Sequence, residues 1–120
     1  MSQETIQRAI QKAKEQVMWG CRTMVDKGYA LGTAGNISAR VEGEPLFVIP
    51  PSARPYLTMK PEDLAVGDMD GNVVSGPYKP SIEFSMHLGI YKERPEVNCI
   101  VHTHSKFATA VSAMYRLKPI

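Results

Sequence analysis

The spacing of apolar residues changes once the chain passes Gly28, and that change limits what it can fold into. From Glu4 to Lys27, the residues Ile6, Ile10, Ala13, Val17, Cys21 and Met24 recur three and four positions apart. This spacing predicts an amphipathic helix that Gly28 stops. Leu31-Gly32-Thr33-Ala34-Gly35-Asn36 then reads as a glycine-bearing loop, and Ile37-Ser38-Ala39-Arg40-Val41 alternates as a half-buried strand does. One long helix therefore precedes a region built from strands.

That region is punctuated by proline and glycine. Leu46-Phe47-Val48-Ile49 is a short apolar strand ended by Pro50-Pro51, and Pro50 to Pro55 is a proline-stiffened, extended turn. Leu64 to Gly67 and Asn72 to Val74 flank Asp68-Met69-Asp70-Gly71, whose Asp-Gly step predicts a hairpin. After Pro80, Ser81 is the expected N-cap of a helix from Ile82 to Glu93, with Pro95 closing it from beyond its end. Val97 to Thr103 follows as a buried strand. Lys106 to Arg116 is a further helix that carries Phe107, Val111 and Met114 at helical spacing. The order predicts a mixed sheet with helices packed on it. Lys118-Pro119-Ile120 reads as the approach to another element, so residues 1–120 are expected to form a single domain that is incomplete at its C-terminal end.

A chain of 120 residues with 43% hydrophobic content can bury one core. Its 14 basic and 12 acidic side chains are interspersed and leave a net charge of +2, which gives no nucleic-acid or membrane footprint and points to small polar partners. No apolar run is long enough for a membrane span, and Met1-Ser2-Gln3-Glu4-Thr5 lacks the layout of a signal peptide, so the expected location is the cytoplasm. Cys21 and Cys99 show no C-x-x-C spacing and are expected to be reduced, buried thiols, with a disulfide between them as the alternative.

The chemistry-bearing residues are few. His102 and His104, two residues apart on a predicted strand, point to one face and can offer two nitrogens to one zinc-like ion; the alternative is a structural or surface pair. Glu83 and His87 share a face of the predicted helix. Glu83 is a further metal ligand or a general base if the helix packs near the strand, and otherwise a first-turn carboxylate at the helix dipole. His87 is expected to be a satisfied imidazole rather than a ligand. Gly32-Thr33-Ala34-Gly35-Asn36 suits an anion such as phosphate or is simply a tight turn. Ser52 and Ser81 are further hydroxyl donors, or a turn serine and an N-cap.

Taken together, the motifs resemble the class II aldolase/adducin family of zinc-dependent sugar-phosphate aldolases and epimerases. The resemblance rests on Gly32 to Ser38, on Ile49-Pro50-Pro51-Ser52 with Tyr56, and on Pro61-Glu62-Asp63-Leu64. It rests also on Lys79-Pro80-Ser81-Ile82-Glu83 with His87, and on Val101-His102-Thr103-His104-Ser105. It implies a three-layer α/β/α fold with a mixed, mostly antiparallel sheet. It also implies Zn²⁺ or another divalent metal on His102 and His104, Glu83 as catalytic acid/base, and a phosphate pocket that includes Gly35, Asn36, Ser52 and Ser81. The activity it implies is a metal-dependent, aldolase-type lyase, acting on a sugar phosphate or related hydroxy-ketone through a zinc-stabilised enediolate, in a homotetramer. The alternatives are an epimerase or dehydratase on the same scaffold, and a non-catalytic, adducin-like assembly module. Two positions depart from the family pattern: Ala53 stands where glycine is common, and Ile82 where a second serine stands. The family's third zinc-binding histidine lies downstream of the pair, beyond the 16 residues that follow His104 here (120 minus 104), so weakened metal affinity is expected of this chain.

Overall fold

The structure is a computed structural model that describes residues 2–28, 35–52 and 54–103. Helix α1 (Gln3–Asp26) starts at Ser2, whose Oγ accepts the Thr5 N–H at 3.1 Å and satisfies one of the helix's orphan donors. Its buried stripe holds Ala13, Val17, Met18, Cys21 and Met24, the face that the apolar spacing predicts. Gly28 stops it at φ +74°, a left-handed conformation that glycine adopts without steric cost.

Among the described residues five strands follow: β1 (Asn36–Arg40), β2 (Leu46–Ile49), β3 (Ala65–Asp68), β4 (Val73–Ser75) and β5 (Cys99–His102). They lie in the order β4-β3-β2-β1-β5, and every pairing among them is antiparallel. Helix α2 (Phe84–Glu93) joins β4 to β5. Ala39, Val48 and Val66 pack under α1, while Phe47, Ile49 and Ala65 pack with Phe84 and Tyr91 of α2. Side chains on one strand alternate between faces, so neighbouring residues Phe47 and Val48 enter different cores. The result is helix, sheet, helix: the three layers expected. At the β3–β4 hairpin the Asp68 carboxylate accepts the N–H groups of Asp70 and Asn72, and Gly71 supplies φ +94°.

Several expectations need correction. Ser81 is not the N-cap; α2 begins at Phe84 with Glu83 in that position. The cause is a β-bridge between Pro51 and Pro80, in which Ser52 N–H bonds Lys79 O at 2.8 Å and Ser81 N–H bonds Pro50 O at 3.0 Å. That ladder holds residues 79–81 extended and delays the helix. Cys99 is exposed rather than buried, and Val101 is 60% exposed, because β5 is the edge of the described sheet. Cys21 and Cys99 are both free thiols, as expected. β1 is buried on both faces, with polar Asn36 and Ser38 covered as fully as its apolar residues. The expected helix from Lys106 to Arg116 lies outside the described residues. Among the described residues, no helix is long and apolar enough to cross a membrane.

Candidate functional site

The register of β1 against β5 assembles the site. Asn36 stands directly opposite His102, and Ser38 opposite Ile100, so Asn36, Ser38 and His102 all face α2. Glu83, at the N-terminus of α2, reaches down onto that row. Its Oε2 accepts a hydrogen bond from Asn36 Nδ2 at 2.6 Å and one from His102 Nδ1 at 2.5 Å. An ionised carboxylate only accepts, so Nδ1 of His102 carries a proton, and a neutral ring then has its lone pair on Nε2. A carboxylate behind the protonated nitrogen of a histidine is how proteins orient a metal-binding imidazole. Glu83 and His102 keep 29% and 33% of their side-chain surface, so a small solute can reach the pair.

Two influences compete at Glu83. Partial burial works to raise its pKa, but the hydrogen bonds from His102 and Asn36 outweigh it and hold the carboxyl below the ordinary carboxylate value. Glu83 is therefore ionised at neutral pH.

Ser81 joins the same cluster. Its Oγ accepts from Asn36 Nδ2 and from the Glu83 N–H, each at 3.2 Å, which leaves its own O–H to donate. Ser52 lies on the partner segment of the Pro51–Pro80 bridge, so the two serine-bearing loops are joined side by side. Gly35 precedes Asn36 at φ +76°, and its carbonyl accepts the Tyr56 O–H. Ile82, in the position of the family's second serine, is 86% exposed. His104 and Ala53 lie outside the described residues. Among the described residues, no group of three or more His, Cys, Asp or Glu side chains gathers for a metal; Glu83 and His102 meet as a pair. One imidazole and one carboxylate in contact are donors of the kind a zinc-type ion takes, and His104 is the next candidate by sequence.

His87 is a satisfied, buried imidazole, as the sequence suggests. Its Nδ1 lies 2.6 Å from Ser38 Oγ and its Nε2 lies 2.6 Å from Asn36 Oδ1. Ser38 Oγ is in turn 2.7 Å from Tyr91 Oη. Sequence reasoning passed over Ser38 and Tyr91. The available signal was the polar row Asn36, Ser38, Arg40 on one strand face, matched by Glu83, His87 and Tyr91 at four-residue spacing. Read alone, that strand row looks solvated.

Comparison with known proteins agrees with this architecture. The family described as the Class II Aldolase and Adducin N-terminal domain matches residues 15–120. The 5-deoxy-D-ribulose 1-phosphate aldolase of Bacillus thuringiensis serovar kurstaki is 38% identical over 105 residues, covering 88% of this chain and 49% of the relative. The L-ribulose-5-phosphate 4-epimerase UlaF of Salmonella paratyphi B is 44% identical over 101 residues, covering 84% of this chain and 44% of the relative. A solved L-fuculose 1-phosphate aldolase superposes with a TM-score of 0.80 at 32% identity, over 86% of this chain and 49% of that one. The chain thus spans about half the length of the curated relatives it matches. A common sequence signature and a common fold make it a member of the class II aldolase and adducin family.

Proposed function

We propose that the chain carries the acid/base and part of the metal-binding half of a divalent-metal-dependent aldolase-type lyase, acting on a sugar phosphate or a related hydroxy-ketone. The observation that carries the reading is the meeting of Glu83, His102 and Asn36 at one carboxylate oxygen. Zn²⁺ is the metal we assign, with His102 and His104 as candidate ligands and Glu83 as a third that would first have to leave Nδ1 of His102. When bound, such an ion supplies Lewis-acid stabilisation of the negative charge that develops on the substrate oxygens as the carbon–carbon bond breaks.

The chain's own residues do the rest. Glu83, ionised and reachable, accepts the hydroxyl proton of the substrate at the start of cleavage and returns a proton to carbon at its end. Asn36 keeps the carboxylate aimed by donating to Oε2. The Ser81 hydroxyl, against the Asn36 amide, is the candidate anchor for the substrate's anionic group, with Gly35 and Ser52 as further candidates by family resemblance. A homotetramer and a cytoplasmic location complete the reading by family resemblance.

Epimerisation is the second reading, favoured by the 44% identity to a ribulose-phosphate epimerase. Breaking and re-forming the same carbon–carbon bond uses the same proton carrier. Incubating the chain and Zn²⁺ with ketose 1-phosphates and with a ketose 5-phosphate separates the two: aldehyde release marks a lyase, and a 4-epimer without release marks an epimerase. Either activity is expected to fall by roughly 10² to 10⁴ in Glu83→Gln. Activity unchanged by that substitution removes Glu83 from the proton-carrying role, and activity absent from the unsubstituted chain favours an assembly module.

A further inference from the structure

We propose that His87 is a positioning residue for Glu83: held as the Nε2–H tautomer, it fixes the Asn36 carboxamide with its NH₂ group turned toward Glu83 and Ser81. This rests on the reading of Glu83 as the proton carrier.

The proton positions follow from the chemistry of the partners. Glu83 Oε2 is an acceptor, so the Asn36 atom 2.6 Å from it is the NH₂ nitrogen. Oδ1 of Asn36 then faces His87 Nε2 at 2.6 Å, and a carbonyl oxygen only accepts, so Nε2 carries a hydrogen. Burial favours the neutral ring, which leaves Nδ1 as an acceptor. Ser38 must therefore donate its O–H to Nδ1 across 2.6 Å, and Tyr91 must donate to Ser38 Oγ across 2.7 Å. The chain runs one way, from Tyr91 through Ser38, His87 and Asn36 to Glu83. Every link but the last is buried: Ser38 and His87 are 0% exposed, Tyr91 1% and Asn36 5%.

Only one imidazole tautomer is compatible with that direction. A hydrogen on Nδ1 instead would set the Nε2 lone pair against the Asn36 oxygen. The amide would then flip and turn its oxygen on the Glu83 carboxylate. Fixed from within the fold, the amide arrives already oriented, so no reorganisation is required when Glu83 changes protonation state.

Two measurements test this. The first is ¹⁵N-edited NMR of the histidine rings of the unsubstituted chain, which needs no variant and no turnover. It is expected to show His87 as a neutral Nε2–H ring with a slowly exchanging ring proton, and an Nδ1–H ring overturns the assignment. The second is a kinetic comparison of His87→Leu with His87→Gln, whose amide can donate to Asn36 and accept from Ser38. His87→Leu is expected to lower kcat about 10- to 100-fold with little change in KM, and His87→Gln to restore most of it. Unchanged kcat in a folded His87→Leu, or equal loss in both variants, overturns the proposal. A chain with no activity at all fails the functional reading alone, and the ring spectrum then decides the His87–Asn36 assignment by itself.

Discussion

Asn36 and His102 face each other across the β1–β5 ladder, and both donate to the same oxygen, Oε2 of Glu83. A strand register thus sets the geometry of a carboxylate that belongs to a helix. Slipping that register by one residue would turn His102 to the α1 face and dismantle the cluster.

Asn36→Ala removes the amide that links the two parts of the network. The buried Nε2–H of His87 loses its acceptor and Glu83 loses a donor. A buried donor left unsatisfied costs about 1 to 3 kcal/mol, so the urea midpoint is expected to fall accordingly. Equilibrium denaturation of both proteins checks this.

Gly67→Ala is expected to destabilise the fold by about 1 to 3 kcal/mol through overpacking. A Cβ there would lie 2.5 Å and 2.6 Å from ring atoms of Phe84 and 3.0 Å from Phe47. Those two rings already pack with centroids 5.0 Å apart and have little room to retreat. Because Phe84 follows Glu83, the same substitution is expected to lower activity as well as the denaturation midpoint.

Stability is expected to fall with acid in a window set by His87. Burial pushes its pKa down to about 4 from an ordinary 6.5, with the Glu83 carboxylate opposing and His102 adding to the depression. The unfolded chain binds this proton below pH 6.5 while the folded chain does not until about pH 4. His87's contribution is therefore complete above 6.5 and lost as pH falls toward 4, on the order of 3 kcal/mol across the window. Glu83, whose pKa is lowered, loses its contribution only below the ordinary carboxylate value. Urea midpoints at pH 7 and pH 5 should differ in the native sequence, and His87→Gln should flatten the difference.

Thiol labelling is expected to find one reactive cysteine in the folded chain and two in denaturant. Cys99 is exposed, while Cys21 is fully buried under the sheet. Burial pushes the Cys21 thiol up to about 12, against a smaller lowering by a hydrogen bond from the Ile37 backbone. A thiol kept protonated and covered does not react. Mass spectrometry after brief alkylation reads the count directly.

By itself the sequence determined the long helix, the strands β2 and β3, the Asp-Gly hairpin and the family. Each of these is written locally, in apolar spacing, in turn chemistry, or in motifs that keep their order. Glu83, His102, Asn36 and Ser81 were also identifiable there as chemical groups, but how they meet was not. Only the tertiary structure decided that Asn36 and His102 share a register, that the Pro51–Pro80 bridge delays α2 and leaves Glu83 at its tip, and that the polar face of β1 is covered by α2. A polar residue on an alternating strand reads as solvent-facing until the structure shows what lies over it. Burial of Asn36, Ser38, His87 and Tyr91 in one hydrogen-bonded chain depends on contacts between residues 49 to 53 positions apart, and no local pattern encodes a contact at that range.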